Sequence, residues 1–279
     1  MARLRQVTGE RSIGHAGTLD PRATGLLVML LGKGTRLASL LTGHDKVYEA
    51  TIRLGWATTT DDADGTRLDE SPVGPLPTPE ELEVALEAFR GTYEQMPPQH
   101  SAKKIDGHKA YDLARKDVRV ALKTSTVTMR HLELLACGGD LVHLRMTVSA
   151  GFYVRSLARD LGERMGCGGH LDALRRTQSG GFVLAASTPL EEAERLGTGL
   201  AVRLLSLADA LPELAAVRLS ERGLIRVRHG NPIGPQLVEG PWVPAGAGLA
   251  RVRLLDETGA LIALADLRGG FLHPAVVLG

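Results

Sequence analysis

Cysteine is scarce in this sequence, and long apolar runs are missing. The two cysteines, Cys137 and Cys167, form neither a CxxC pair nor part of a histidine-rich cluster, so they support neither a disulfide framework nor a zinc site. No apolar run approaches the roughly 18 residues needed to span a bilayer, and residues 1–12 lack the apolar core of a signal peptide. We therefore expect reduced structural thiols, no metal, no membrane association and a cytoplasmic location.

An excess of charge of one sign is also lacking, because the net charge is only +1 over 279 residues. The charges are unevenly distributed, however. Residues 61–94 carry ten acidic side chains against two arginines, whereas residues 96–123 carry seven Lys and Arg against three Asp. A basic segment of this kind is typical of a loop that contacts phosphates, and also of a solvated surface of mixed charge.

The most distinctive stretch runs from Gly14 to Gly25 and reads GHAGTLDPRATG. Its three glycines and one proline predict a shaped loop, and the apolar residues Leu26 to Leu31 that follow predict a buried strand. The single carboxylate in the loop, Asp20, precedes a proline that favours an extended backbone. A carboxylate fixed in this way can act as a nucleophile or base, although a structural turn aspartate has the same pattern.

Two predicted strands carry further candidates. Alternation from Val47 to Leu54 places Tyr48 on a buried strand face, where a tyrosine is usually part of a core. A second alternating run, Leu141 to Ala150, leads into a helix that presents one apolar stripe. Arg155 lies at this strand-to-helix junction, where a guanidinium can grip a carboxylate with two hydrogen bonds or serve as an ordinary surface group.

A basic loop is predicted from Gln95 to Tyr111, with the sequence QMPPQHSAKKIDGHKAY. Its prolines and glycine interrupt regular structure, and Lys103, Lys104 and Lys109 suit contact with a phosphate backbone. An exposed linker has a similar composition.

The remaining sequence patterns predict turns, helices and a C-terminal β domain. Thr58 to Gly65 indicates a turn-rich connection without EF-hand spacing, and Thr78 begins a capping box that starts a helix. Leu171 to Arg176 is interpreted as a short basic turn, and Thr188 to Pro212 as mainly helical. Beyond Leu211 we expect a small β domain with a hairpin, whose arginines make it a candidate RNA-contact surface.

Three segments in order now resemble one family. GHAGTLDPRATGLL, QMPPQHSAKKIDGHKAYDLAR and VSAGFYVRSLARDLG are similar to motifs of the bacterial TruB-type tRNA pseudouridine synthases. The similarity covers about residues 14–182, and the tail resembles the short PUA-type RNA-binding domain of these enzymes. Three motifs in the correct order are far more specific than one.

The resemblance implies an α+β catalytic fold on a mixed, largely antiparallel sheet over residues 1–211, followed by a β-rich PUA-like domain over residues 212–279. It implies isomerisation of uridine 55 in the TψC loop of tRNA, without a cofactor or guide RNA, by a chain expected to be a monomer. A target base inside a folded loop must first be unstacked, which aromatic stacking and phosphate contacts offset.

The resemblance also assigns roles residue by residue. Asp20 corresponds to the catalytic aspartate and Arg155 to the arginine paired with it. Tyr48 corresponds to the tyrosine that stacks on the flipped uracil. His15 corresponds to a histidine that holds the target loop, and two further residues line the uridine pocket, namely Tyr153 and Leu174.

One feature departs from the family. Its members begin with roughly thirty further residues, including a first strand and a Lys-Pro motif near the active site. Either the true start lies upstream of Met1 or the form is shortened, and a shortened form would have an exposed sheet edge. A non-catalytic RNA-binding or RNA-folding protein is therefore one alternative, and a guide-RNA-dependent synthase, which shares the aspartate motif, is another.

Overall fold

The computed structural model describes residues 1–68, 75–99, 123–242 and 251–279, and the backbone of residues 104–105 and 108–109. Its helices are α1 (Ala2–Thr8), α2 (Ala38–Thr42), α3 (Pro79–Leu86), α4 (Val154–Arg164), α5 (Leu190–Leu196) and α6 (Glu221–Arg228). Its strands are β1 (Ile13–His15), β2 (Thr24–Gly25), β3 (Met29–Leu31), β4 (Lys46–Leu54), β5 (Gly91–Gln95), β6 (Lys104–Ile105), β7 (His108–Lys109), β8 (Ser125–Gly138), β9 (Leu141–Val148), β10 (Gly169–Ser179), β11 (Phe182–Val183), β12 (Ala216–Leu219), β13 (Val238–Glu239), β14 (Arg251–Leu255), β15 (Leu261–Arg268) and β16 (Phe271–Val277).

The chain divides into two compact units, and neither is continuous in sequence. The sheet unit comprises Thr18–Leu27 and Thr42–Ala186. The terminal unit comprises Met1–Gly17, Val28–Leu41 and Ser187–Gly279. The predicted boundary at Leu211, between a catalytic domain over residues 1–211 and a PUA-like domain over residues 212–279, stays a prediction.

A seven-stranded sheet forms the sheet unit, in the order β11-β10-β4-β9-β8-β5 with β2 added beside β10. Every pairing is antiparallel except that of β2 with β10. Central strand β4 alternates strictly between buried and half-buried residues, as its sequence predicted. This arrangement confirms the predicted α+β class with a mixed, largely antiparallel sheet.

Helix α4 packs its apolar stripe on this sheet. Leu157, Ala158 and Leu161 are fully buried in the core. Near the C-terminal end of the helix, a Cβ added at Gly162 would lie 2.1 Å from the backbone nitrogen of Gly169, so only glycine permits this close approach to β10. The contact fixes α4, and therefore the residues of its first turn, relative to the central strands.

The predicted capping box of α3 is confirmed. The Thr78 hydroxyl accepts from the Glu81 backbone nitrogen at 3.3 Å, and the Glu81 carboxylate accepts from the Thr78 nitrogen at 2.8 Å. The two hydrogen bonds satisfy donors at both ends of the first turn. The helix serves as scaffold, because Leu82 and Leu86 are buried in the core.

Two local predictions were wrong. The stretch Leu171 to Arg176 is not a turn but the middle of strand β10, which pairs with both β4 and β2. Its residues have weak strand propensity, and pairing on two sides overrides that preference. The apolar run Leu26 to Leu31 is not one buried strand, because only Met29–Leu31 is a strand and Leu27 is exposed.

The C-terminal part of the terminal unit is β-rich, as expected. Its five-stranded sheet has the order β13-β12-β14-β15-β16, and β14 and β15 form the predicted hairpin. Helix α6 is capped at its N-terminus by Ser220, whose hydroxyl accepts from the Gly223 nitrogen at 3.2 Å. The helices of the described residues are all too short or too polar to cross a membrane.

Candidate active site

The loop that carries Asp20 is attached to strand β10. Thr24 and Gly25 pair in parallel with Arg175 and Arg176, and the Leu26 nitrogen donates to the Arg176 carbonyl at 2.8 Å. Gly25 has φ +93°, and a Cβ there would lie 2.2 Å from the Arg176 carbonyl oxygen. The loop therefore passes so close to the strand that a side chain at position 25 has no room.

We predict that Gly25→Ala destabilises the sheet unit and displaces the Asp20 loop. The strained φ alone costs of the order of 1–3 kcal/mol, and the collision with β10 adds to it. Gly91→Ala is the matched control, because Gly91 has φ +78° but no atom within 4 Å of an added Cβ. Urea unfolding should show a larger loss of unfolding free energy for Gly25→Ala than for Gly91→Ala, and equal losses would contradict the account.

Arg155, in the first turn of α4, holds Asp20 with two hydrogen bonds. Its Nε donates to Asp20 Oδ2 at 3.0 Å and its Nη2 to Asp20 Oδ1 at 3.3 Å. The arginine side chain is only 7% exposed, whereas that of Asp20 is 38% exposed. A buried arginine thus fixes, with two hydrogen bonds, a carboxylate that remains open to solvent.

The other side of the Arg155 guanidinium contacts a turn that the sequence did not link to the site. Nη1 donates to the Thr60 carbonyl at 3.3 Å and lies 3.5 Å from Asp62 Oδ2. The turn is attached to β10, since the Leu171 nitrogen donates to the Asp61 carbonyl at 3.0 Å. Two carboxylates, Asp20 and Asp62, therefore share one arginine. The sequence predicted this acidic run only as a turn-rich connection, and no local signal pairs it with Arg155.

Asp61, beside this pair, has a side chain that is only 14% exposed, and it contacts a second arginine of α4. Its Oδ2 lies 2.9 Å from Arg159 Nη1, and it is the one non-glycine residue of the described chain with a positive φ, +61°. Burial raises the pKa of Asp61 from 3.8 to about 6, against the opposing charges of Arg159 and Arg155. The folded protein therefore holds a proton at Asp61 more strongly than the unfolded chain does.

This pKa predicts a pH-dependent stability. Between pH 3.8 and about 6 the folded state binds more protons than the unfolded state, so stability falls as pH rises through this window. The full contribution is about 2 to 3 kcal/mol. Urea unfolding from pH 4 to 7 should show this fall in the wild type but not in Asp61→Asn. Asp64→Asn, at a carboxylate that is 54% exposed, should keep the wild-type slope; an unchanged slope in Asp61→Asn would contradict the account.

The cleft beside Asp20 is narrow. Its volume is about 10 Å³, room for about one water. Asp62 and Arg155 form its polar side with Asp20, and Leu171 and Leu174 form its apolar side. The structure thus brings together Asp20, Arg155 and Leu174 of the residues expected from the sequence.

Tyr48 is buried on strand β4, as predicted from the alternation. Burial raises the pKa of its hydroxyl, Arg176 opposes that rise through its charge and a hydrogen bond, and Asp20 adds to it. The hydroxyl is therefore within electrostatic reach of the catalytic candidate. Sequence reasoning missed Arg176, whose position in a supposed turn gave no sign that its side chain would be buried.

Tyr153 is half-buried and directly precedes α4. Its backbone is held by the buried Gln95 side chain, whose amide nitrogen donates to the Tyr153 carbonyl at 3.0 Å and whose oxygen accepts from the Tyr153 nitrogen at 2.9 Å. The start of α4 is thereby tied to the end of β5. The pocket role expected of Tyr153 stays a prediction.

The remaining expected residues are not brought to the cleft by any described contact. His15 ends strand β1 in the terminal unit, and its Nδ1 is buried with no hydrogen bond among the described residues. Lys104 and Lys109 are backbone partners in the short β6–β7 pairing, and Lys103 lies outside the described residues. The RNA-contact roles of all four stay predictions.

The described residues form no candidate metal site. Within the part of the chain that the structure describes, no cluster of three or more His, Cys, Asp or Glu side chains could hold an ion. Cys137 and Cys167 are free thiols. What the site offers chemically is a solvent-open carboxylate, Asp20, which a buried arginine holds at the edge of a narrow cleft.

Sequence comparison identifies relatives along the whole chain. Residues 5–154 match the family model of the TruB family pseudouridylate synthase N-terminal domain, and residues 155–198 match the tRNA pseudouridylate synthase B C-terminal domain. The chain is 41% identical over 286 residues to tRNA pseudouridine synthase B of Thermobifida fusca, covering 99% of this chain and 92% of that protein. It is 40% identical over 283 residues to the protein of the same name from Gloeobacter violaceus, covering 100% and 93%.

Structural comparison agrees on the fold. The chain resembles a solved chain of a Cbf5-Nop10-Gar1 complex with a TM-score of 0.73 and 23% identity, over 100% of this chain and 80% of that one. A second solved chain, from an H/ACA RNP bound to a substrate RNA containing 2'-deoxyuridine, gives a TM-score of 0.71 at 20% identity. At this identity the likeness concerns the fold alone. The family-model match and the near-full-length relatives show more: this chain belongs to the TruB family of pseudouridylate synthases.

Proposed function

We propose that the protein converts uridine 55 in the TψC loop of tRNA to pseudouridine, with Asp20 as the nucleophile. The observation that carries the proposal is the two-bonded contact between Arg155 and Asp20, at 3.0 and 3.3 Å. The names of the near-full-length relatives, each called tRNA pseudouridine synthase B, support the substrate.

The reaction is an isomerisation, so no atoms enter or leave overall. The bond between N1 of uracil and C1′ of ribose breaks, the base turns, and a bond forms between C5 and C1′. The proton lost from C5 is balanced by a proton gained at N1. One nucleophilic carboxylate is sufficient for transient covalent capture, and no redox or group-transfer cofactor is required.

The side chains around Asp20 suit these steps. Arg155 holds both oxygens of the carboxylate and thereby orients it. The Tyr48 ring offers a stacking face for the flipped uracil, which lets the base turn in its plane, and Leu174 adds an apolar wall. Because the cleft holds about 10 Å³, a base enters only when the walls move apart.

The proposal also covers the parts of the chain beyond the cleft. His15 holds the target loop, Tyr153 lines the uridine pocket, and Lys103, Lys104 and Lys109 bind the phosphates of the loop. The arginine-rich β domain over residues 212–279 adds a second RNA contact. The chain acts as a monomer in the cytoplasm, without guide RNA.

The test is an assay of the purified chain with an unmodified tRNA transcript, in EDTA and with no other RNA present. The account expects complete conversion of uridine 55, and none in a transcript that carries cytidine there. Tight RNA binding without any product would favour the RNA-binding alternative. Product only after addition of a guide RNA would favour a guide-dependent synthase.

A further inference from the structure

Arg176 is fully buried, and its side chain reaches both ends of the Asp20 loop. Its Nε donates to the Leu26 carbonyl at 2.8 Å, and its Nη1 donates to the Thr18 carbonyl at 3.4 Å. Thr18 precedes Asp20 by two residues, and Leu26 follows it by six. A single planar group therefore fixes the separation between the two ends of the loop.

The same guanidinium lies beside Tyr48. Residues 176 and 48 are direct partners in the β10–β4 pairing, and both side chains are buried. Side chains of such cross-strand partners lie about 5 Å apart at Cβ. The charge of Arg176 acts against the rise that burial causes in the pKa of the Tyr48 hydroxyl. Arg176 therefore contacts the loop that carries Asp20 and also lies beside Tyr48.

Burial of a guanidinium is expensive, with an effective penalty of several kcal/mol per ion. An apolar residue would fill the same inward position of β10, as Leu174 does two residues earlier. Leucine or methionine has no donor, however, so the Thr18 and Leu26 carbonyls would each lose a hydrogen bond. The use of arginine at this position is explained by geometry rather than by packing.

We propose that Arg176 is a positioning residue, which sets the distance and angle between the Asp20 carboxylate and the Tyr48 ring. The inference rests on the proposed function. Arg176 has no exposed surface and so does not touch RNA; it acts through the loop and the ring. Without the planar guanidinium, the Asp20 carboxylate can shift by about 1 Å, which lowers the rate of the reaction about 100-fold.

Arg176→Lys and Arg176→Met test this inference. Lysine keeps the positive charge but lacks the planar fork, and methionine keeps the volume but has neither. Single-turnover rates on the tRNA transcript should fall about 10-fold or more for lysine and about 100-fold for methionine, with tRNA affinity within about 3-fold of the wild type. The neighbour Arg175, whose side chain is exposed, supplies the matched control Arg175→Met, which should keep the wild-type rate.

A double-mutant cycle separates positioning from a general loss of structure. If Arg176 acts partly through the tyrosine hydroxyl, Arg176→Lys and Tyr48→Phe together should be less harmful than the product of their separate effects. Thermal unfolding and tRNA binding verify that each variant is folded, and the lysine variant remains informative if the methionine variant does not fold.

Three outcomes would overturn the inference. The first is a folded Arg176→Lys with the wild-type rate. The second is a rate loss explained entirely by weaker tRNA binding, and the third is effects of Arg176→Lys and Tyr48→Phe that simply multiply. A wild type that forms no pseudouridine would instead contradict the proposed function, and this inference with it.

Discussion

Asp20→Asn should form no pseudouridine while it still binds tRNA. Asparagine has the shape of aspartate and can still accept from Arg155, but a neutral amide is not a nucleophile. We expect the single-turnover rate to fall at least about 10⁴-fold, with tRNA affinity within about 3-fold of the wild type. Rapid mixing of excess enzyme with radiolabelled tRNA measures the rate, and filter binding measures the affinity.

The chain provides a closely matched control for this variant. Asp45 also pairs with an arginine, Arg130, and its side chain is 37% exposed against 38% for Asp20. Asp45→Asn should therefore convert tRNA at the wild-type rate. Loss of RNA binding together with activity in Asp20→Asn would contradict the assigned role, because it would indicate that the carboxylate supports the fold of the loop.

Arg155→Lys should lose about 10²- to 10³-fold in rate, although it conserves the positive charge. A lysine ammonium is a single point of contact. It cannot hold both oxygens of Asp20 and also reach the Thr60 carbonyl and Asp62, as the guanidinium does. The carboxylate then samples several orientations, and few of them suit attack.

Arg130→Lys is the corresponding control, since the Arg130 side chain is 55% exposed and its pair with Asp45 lies on the surface. Exposed ion pairs contribute about 0–1 kcal/mol, so this variant should match the wild type in both rate and melting temperature. An Arg155→Lys variant with full activity would show that charge alone, without the fork, is enough at this site.

Local sequence pattern was sufficient for the elements that carry the candidate site. The alternation of β4 correctly placed Tyr48 on a buried face, and the strand-to-helix junction correctly placed Arg155 at the start of α4. The loop character of the Asp20 segment follows from its glycines and proline. The pairing of Asp20 with Arg155, 135 residues later, came only from the family resemblance, because no local pattern encodes it.

The sequence did not predict the residues whose position depends on long-range packing. Strand β10 has the composition of a polar turn, and its conformation is set by β4 on one side and β2 on the other. Arg176 is buried only because of that pairing. Asp62 reaches Arg155 because its turn bonds to Leu171 of the same strand. The conformation of β10, the burial of Arg176 and the contact of Asp62 with Arg155 were missed for the same reason: each depends on pairing between segments that are distant in sequence.

The most direct test of the account is to map every pseudouridine formed in an unmodified tRNA transcript by the wild-type chain and by Asp20→Asn, in parallel. The account predicts one pseudouridine per wild-type-treated tRNA, at position 55, and none with Asp20→Asn. Modification at other uridines, or product formed by Asp20→Asn, would contradict the central claim that Asp20, held by Arg155, isomerises this one base.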